Sequence, residues 1–389
     1  MRGYKGVILL LLTLGLQPLA GWKKTAPPGQ ILIAPDPAAR LADRFSWAAR
    51  QATPPAFAKG YWVGYSIQRI MGERSYIGSW HGWSGRPDDG EPTIEYLIAV
   101  AKNGPPPKRP DDEILREAAR KALEDADRKE TPERRARKDV GLFFRFQPGP
   151  KRNSLSIEMS NLKLSFDFEG LPLVWLGSAK NDESVSYLES LYRTEAAWDK
   201  KEDLLSAISV HQEPRSVIPF LDGILKSNAP QAIRGEAAEG LGEQDDAQSV
   251  LILRRVIRSD TSSAVRERAI SGLVEMSRPE ALEFLIETAR QASDRELRKE
   301  AVRGLAEKAS EKVGPSAPRA SFDDKETEVQ RQAVEVMAEL PPAEALPVLA
   351  RIAETHANLE VRRAAIEALG ELEDPAAVTI LIRLIKGRF

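Results

Sequence analysis

Cysteine is absent from the 389 residues, and histidine is limited to His81, His211 and His356. The first gap excludes disulfides, thiolate metal sites, a thiol nucleophile and a lipoprotein lipobox. The second leaves little material for a metal centre or for acid–base chemistry, so neither a metal nor a cofactor is expected. An excess of one charge is also missing. The 56 Lys+Arg residues face 58 Asp+Glu, a net charge of −2, whereas dedicated nucleic-acid binders carry a strongly basic domain. No nucleic-acid partner is therefore expected. A glycine-rich phosphate loop is lacking too, because Gly240-Leu-Gly242 falls at a helix end. The last gap is regional: all seven Trp and all seven Tyr lie in residues 1–198. Charge follows the same division. Residues 1–200 carry 30 basic and 25 acidic side chains (+5), and residues 201–389 carry 26 and 33 (−7). Two differently built parts share one chain.

The chain opens with Arg2 and Lys5, the apolar run Val7–Leu16 and then Gln17-Pro18-Leu19-Ala20. A short basic region, a short apolar core and a small residue at a break form the pattern of a signal peptide. Residues 1–20 are read so, with a membrane anchor through residues 6–22 as the alternative; a bilayer span needs about 20 apolar residues. The protein is expected to be exported, periplasmic or secreted, or else held at the inner membrane facing the periplasm. Residues 21–57 are rich in proline, at Pro27, Pro28, Pro35, Pro37, Pro54 and Pro55, and read as a linker with one short helical turn near Ala38–Arg50.

Residues 58–177 read as a β-rich domain. Tyr61, Val63, Tyr65 and Ile67 alternate along a half-buried strand. A turn over Met71–Arg74 predicts a hairpin with Ser75–Trp80, and residues 140–147, 153–158 and 162–168 are further strand candidates. Thr93–Ala101 fits a buried strand or a short helix equally. Within Asp111–Lys138, 18 of 28 residues are charged, nine of each sign, and the stripe Ile114, Leu115, Ala118, Ala122, Leu123 suits an exposed helical insertion. Trp62, Trp80 and Trp83 form a candidate aromatic platform for a glycan or peptide, with a place in the core as the competing reading.

The carboxyl half repeats every 32 residues. Ile233, Val265, Leu297, Val329 and Val361 open five copies; Arg234, Arg266, Arg298, Gln330 and Arg362 follow them. Ala237, Ala269, Ala301, Ala333 and Ala365 come four residues on, and Leu241, Leu273, Leu305, Met337 and Leu369 eight residues on. Offsets of zero, four and eight share one helix face. Upstream apolar sets such as Val250, Leu253, Val256 and Ile257 mark a second helix, so each unit is a helix pair that buries its faces only by stacking. Ser262, Asp294 and Asn358 stand where N-caps are wanted, and the repeated Arg column predicts a ladder with acidic or carbonyl partners. The fourth unit departs from the pattern. Gly314, Pro315, Ala317, Pro318, Ala320 and Ser321 replace its first helix, which predicts a break around Val313–Phe322. The array also ends on half a unit, 376–389, whose uncapped apolar face suggests self-association.

The run Val361-Arg362-Arg-Ala-Ala365-Ile-Glu-Ala-Leu369-Gly370 resembles the HEAT repeat, in particular the short bacterial type also found in phycobilin lyases. The resemblance covers about residues 200–389. The segment Gly170–Gly177, followed by Glu183-Ser184-Val185, is similar to the junction in secreted bacterial HEAT proteins with a β-rich amino-terminal domain. The expected fold is therefore mixed: an all-α solenoid of helix pairs over 178–389, preceded by a small α+β domain. What the family implies is scaffolding. Deoxyhypusine hydroxylases of HEAT type hold iron through His-Glu pairs, and this chain has no His-Glu dipeptide. Nothing in the first 200 residues suits a pigment. His211 and His356 read as surface or loop residues.

His81-Gly82-Trp83-Ser84-Gly85 lacks the Gly-x-Ser-x-Gly spacing of a nucleophile elbow, and no catalytic residue is assigned. Binding remains. On the second helices the candidate protein-binding residues are Glu267, Lys299, Arg303, Arg331, Glu335 and Arg363, whose mixed signs suit a polar protein partner. The expected role is a non-enzymatic scaffold of the bacterial cell envelope. An envelope enzyme or a glycan- or peptide-binding protein, with its site in 58–177, is the alternative.

Overall fold

A computed structural model describes residues 10–11, 27–53, 55–72, 75–78, 92–104, 135–146, 154–313, 325–372 and 374–387. The chain divides into two compact units, one holding a β-sheet and running to Glu213, the other beginning at Pro214.

The first unit is built on five strands: β1 (Ile31–Ile33), β2 (Tyr61–Gly72), β3 (Arg135–Phe146), β4 (Ser154–Asn161) and β5 (Leu173–Ser178). Their order is β1-β5-β2-β3-β4. β5 lies parallel to both β1 and β2, whereas β2–β3 and β3–β4 are antiparallel. The full-length partner of β2 is β3, from Tyr61↔Phe146 to Gly72↔Arg135. The expected hairpin with Ser75–Trp80 is thus replaced by a far longer ladder to a strand more than sixty residues on. Arg135, Arg137 and Lys138, read as part of a helical insertion, are the start of β3; residues 105–134 lie outside the described residues.

Helices α1 (Leu41–Gln51) and α3 (Asn181–Thr194) pack with the sheet, and so does α2 (Ile94–Asn103). α2 settles the open reading of Thr93–Ala101. Thr93 caps it by accepting from the Tyr96 N–H at 3.2 Å, and Gly104 ends it at a φ of 76°. Both faces of β2 are buried rather than one. Trp62 packs with Phe143, Phe166, Phe168, Leu173, Trp175, Ile94 and Ile98 in the core. On the other face Phe45 meets Tyr65 and Phe144 edge-on at 5.9 and 5.1 Å and stacks on Tyr187 at 4.7 Å. Residues 162–168 are not a strand. Leu162, Leu164, Phe166 and Phe168 are buried because this segment lies over the sheet, which explains its strand-like alternation.

The proline-rich stretch is no simple linker. Ile31–Ile33 joins the sheet edge, and Arg44 of α1 is buried with its guanidinium donating to the Leu176 and Ser178 carbonyls at 2.7 and 2.8 Å. Glu183 of α3 accepts from the Leu41 N–H, satisfying an orphan donor at the start of α1. Gln212 completes the unit. Its side-chain amide donates to the Ile70 carbonyl and accepts from the Ile70 N–H, both at 2.7 Å, as a neighbouring strand would. That occupies backbone groups which an open edge would leave for another chain. Helix α4 (Trp198–Ser209) also belongs to this unit, although the repeats were expected to begin before it.

The second unit contains α5 (Pro214–Leu225), α6 (Gln231–Gly242), α7 (Ala247–Ser259), α8 (Ser263–Glu275), α9 (Pro279–Gln291) and α10 (Arg295–Val313). After residues 314–324, outside the description, come α11 (Lys325–Ala338), α12 (Pro342–Thr355), α13 (Leu359–Glu371) and α14 (Pro375–Lys386). The repeat columns are buried in four of the five copies, with Val265, Ala269 and Leu273 all at 0% exposure, while Met337 of the fourth copy is half-buried. Stacking of α6, α8 and α10 follows chain order. A Cβ on Gly242 would lie 2.3 Å from the Gly272 carbonyl oxygen, so glycine sets how closely α6 and α8 approach.

Beyond α10 the order changes. The helix packed against α10 is α13, and α11 stacks on the far side of α13 without substantial contact to α10. Gly370 of α13 sits against Ala306, where a Cβ would approach to 2.6 Å. The last helix, α14, packs on α9, α10, α12 and α13. Its Val378, Leu381, Leu384 and Ile385 are buried within the chain. Much of the apolar face expected to be uncapped is therefore covered within the chain, while Ile380 and Ile382 remain half-buried.

Replacing Trp62 by Ala is expected to destabilise the sheet unit by about 3–5 kcal/mol, read by urea unfolding. Wild-type stability in this variant would contradict its core assignment.

Candidate functional site

The Arg column comes first because it frames the face above it. Arg234 donates to both Asp260 carboxylate oxygens, at 2.9 and 3.3 Å, and to the Ala229 carbonyl at 2.9 Å. Arg266 repeats this with Asp294 at 2.7 Å and the Asp260 carbonyl. Arg298 and Arg362 reach the Ala292 and Ala353 carbonyls. Burial disfavours the Asp260 carboxylate, but hydrogen bonds from Arg234 and the Ser262 N–H outweigh it and hold the group below its ordinary range. Asn358 and Asp294 cap their helices, accepting from the Glu360 and Glu296 N–H groups. Ser262 does not; its hydroxyl bonds to Gln231 instead.

The six candidate binding residues fall into separate groups. Glu267 and Lys299 are half-buried on α8 and α10. Beside Glu267, Arg268 reaches back to Glu236 at 3.1 Å and to Glu239. The Glu239 carboxyl is raised by burial, with Arg268 pulling the other way. Arg303 is exposed and bidentate on Glu371 of α13, at 3.1 and 3.4 Å, with Glu300 at 3.5 Å. Arg331, Glu335 and Arg363 gather around Glu367, whose carboxyl is raised by burial and by Glu360 and Glu335, while Arg331 and Arg363 oppose the shift. Because α13 intervenes, Arg331 and Glu335 stand one helix farther from Arg303 than chain order predicts. Much of the mixed charge is thus matched within the chain.

Glu239, six residues after the anchor Ile233, belongs to this face by the repeat spacing, whereas sequence reasoning missed Glu236 and Glu371. It also passed over a column that the 32-residue period carries plainly: Glu243, Glu275, Glu307, Glu339 and Glu371, each ten residues after the opening aliphatic.

Elsewhere the candidates resolve differently. Trp62 is fully buried and donates from its indole to the Phe168 carbonyl at 3.1 Å, which removes it from any ligand-facing platform. Trp80 and Trp83 lie outside the described residues. His211 lies in the loop between α4 and α5, as read, but is buried there, and His356 is half-buried, accepting from the Asn358 N–H at 3.1 Å. Asp245 and Asp246 serve the turn before α7, accepting from the Ser277 and Gln248 N–H groups. Among the described residues no group of three or more His, Asp or Glu is placed to hold a metal ion.

Comparison with known proteins agrees with this geometry. A family model described as HEAT repeats matches residues 218–306 and 319–388. The match spans most of the second unit and supports a HEAT-repeat protein. A solved structure of human deoxyhypusine hydroxylase in complex with glycerol is similar over 51% of this chain and 76% of that one. Its identity is 19% and its TM-score 0.23, too low to carry an argument about this chain. No curated protein matches. HEAT repeats are in general protein-interaction scaffolds.

Asp260→Asn should cost the second unit about 1–3 kcal/mol, because the Arg234 guanidinium loses its charged partner in a half-buried site. Since the folded carboxyl lies below its ordinary value of 3.8, this contribution is present above that value and is lost as pH falls through the lowered one. Thermal unfolding at pH 7 and pH 3 checks both: the variant should trail the wild type at pH 7 and approach it at pH 3.

Proposed function

We propose that this chain is a non-enzymatic scaffold of the bacterial cell envelope that holds another protein on its HEAT repeats. The observation that carries the reading is the stack of α6, α8 and α10, whose regular spacing presents Glu267, Lys299 and Arg268 side by side. A solenoid offers an extended surface of this kind without a deep pocket. The partner is a folded protein or peptide with alternating charge, for which interleaved carboxylates and cations supply orientation and encounter rate more than raw affinity.

Export is the second part of the proposal. It is supported by the basic, apolar and small-residue pattern of residues 1–20, most of which lies outside the described residues. No helix among the described residues is long and apolar enough to cross a membrane. The alternative reading is attachment to the inner membrane through residues 6–22.

The test is a pull-down from envelope fractions with the chain beginning at Gly21, repeated with Glu267→Lys and Lys299→Glu together. The expected result is one enriched protein whose capture drops at least about tenfold in the charge-reversed variant while thermal stability is kept. Equal capture by both proteins would place the partner elsewhere, and no capture from any fraction would contradict a scaffold.

A further inference from the structure

Between the sheet and the helices of the first unit lies a buried chain of polar groups that the scaffold role does not use. His211 Nδ1 is 3.2 Å from the Ile208 carbonyl and Nε2 is 2.7 Å from the Ser184 hydroxyl. Ser184 is in turn 2.7 Å from the Tyr65 hydroxyl. All three side chains are at 0% exposure. A carbonyl can only accept, so Nδ1 carries the ring proton. Nε2 of the neutral ring must accept, which commits the Ser184 proton to it, and Tyr65 must then donate to Ser184. The bonds run one way, Tyr65 to Ser184 to His211 to Ile208, and every donor is used.

A second ring proton breaks this arrangement. Nε2–H would donate to Ser184, Ser184 would turn to Tyr65, and the Tyr65 O–H would be left facing no acceptor. It would also add a positive charge beside Arg69, itself buried and donating to the Val210 carbonyl. The ionisable groups around the chain are Tyr65 and Arg69 on β2, Arg44 on α1, and Glu183 and Tyr187 on α3. Arg44 already donates to backbone carbonyls and Glu183 caps α1, and among the described residues the charge acting on the imidazole is that of Arg69.

We propose that the Tyr65–Ser184–His211 chain is an acid-sensitive latch that fastens helices α3 and α4 to the sheet and releases them when the imidazole takes a proton. The neutral ring is also what burial enforces, pushing the folded group from 6.5 down to about 4. The opened state, with its ring in water, binds the proton more readily, so opening is favoured progressively as pH falls from 6.5 toward 4. The lowered carboxyls of Asp222, Asp260 and Asp294 in the repeats lose their contribution only below their ordinary value of 3.8. The sheet unit therefore loosens first.

Amide exchange on the full chain, corrected for intrinsic rates, reads this directly. Between pH 7 and pH 5 the opening of residues 181–212 should rise roughly twentyfold, with α8 and α10 unchanged. In His211→Gln, whose amide oxygen can accept from Ser184 but takes no proton, the rise should vanish. An equal rise in this variant, or opening spread evenly over both units, overturns the latch. Should the variant not fold, the wild-type ring decides by its nitrogen resonances. A ring neutral at pH 6 with rising exchange supports the latch, and a ring charged at pH 6 inside a fully protected segment overturns it.

Discussion

A HEAT unit cannot bury its apolar faces by itself, and every helix of the second unit has its place because something must cover it. The repeated Ala and Gly positions translate that need into geometry. Small side chains on α6, α8 and α10 let helices approach until backbone nearly meets backbone, as at Gly242 and Gly272. The same requirement acts beyond α10, where α11 does not take the next place in the stack. The break expected around Val313–Phe322, from Pro315 and Pro318, falls almost wholly outside the described residues. The exposed faces of α9 and α10 are closed by α14 and α13 instead.

This rearrangement links the architecture to the surface it offers. In an array stacked in chain order Arg303 would face Glu339, the equivalent position one unit earlier; here Glu371 of α13 holds it. Arg331, Glu335 and Arg363 likewise surround Glu367. Under the proposed scaffold role, the partner meets the face of α8 and α10 that carries Glu267 and Lys299, both half-buried. The carboxyl-terminal helix buries Val378, Leu381, Leu384 and Ile385 inside the chain.

The repeat period, the helix pairs and the long strand β2 were legible because each writes its periodicity into neighbouring residues. Stacking order was not. Units related by a 32-residue period present nearly the same apolar columns, so no local pattern says which unit follows α10 in space. The three-residue strand Ile31–Ile33 is too short to show alternation, and Leu173–Ser178 is buried on both faces, which erases it. Residues 162–168 misled for the opposite reason, alternating because they cross the sheet rather than join it. His211 looked peripheral because its partners, Ser184 and Tyr65, lie far off in sequence. The mixed charge of the binding face was legible, but its internal pairing depends on α13 and so on the stacking order.

The central claim is that α13, and not α11, is the neighbour of α10, and the absence of cysteine makes it directly measurable. Two double variants, Arg303→Cys with Glu371→Cys and Arg303→Cys with Glu339→Cys, would be treated with a short thiol cross-linker. Efficient intramolecular linkage in the 303–371 pair and none in the 303–339 pair is the predicted result. The reverse would show a solenoid stacked in chain order and contradict the account.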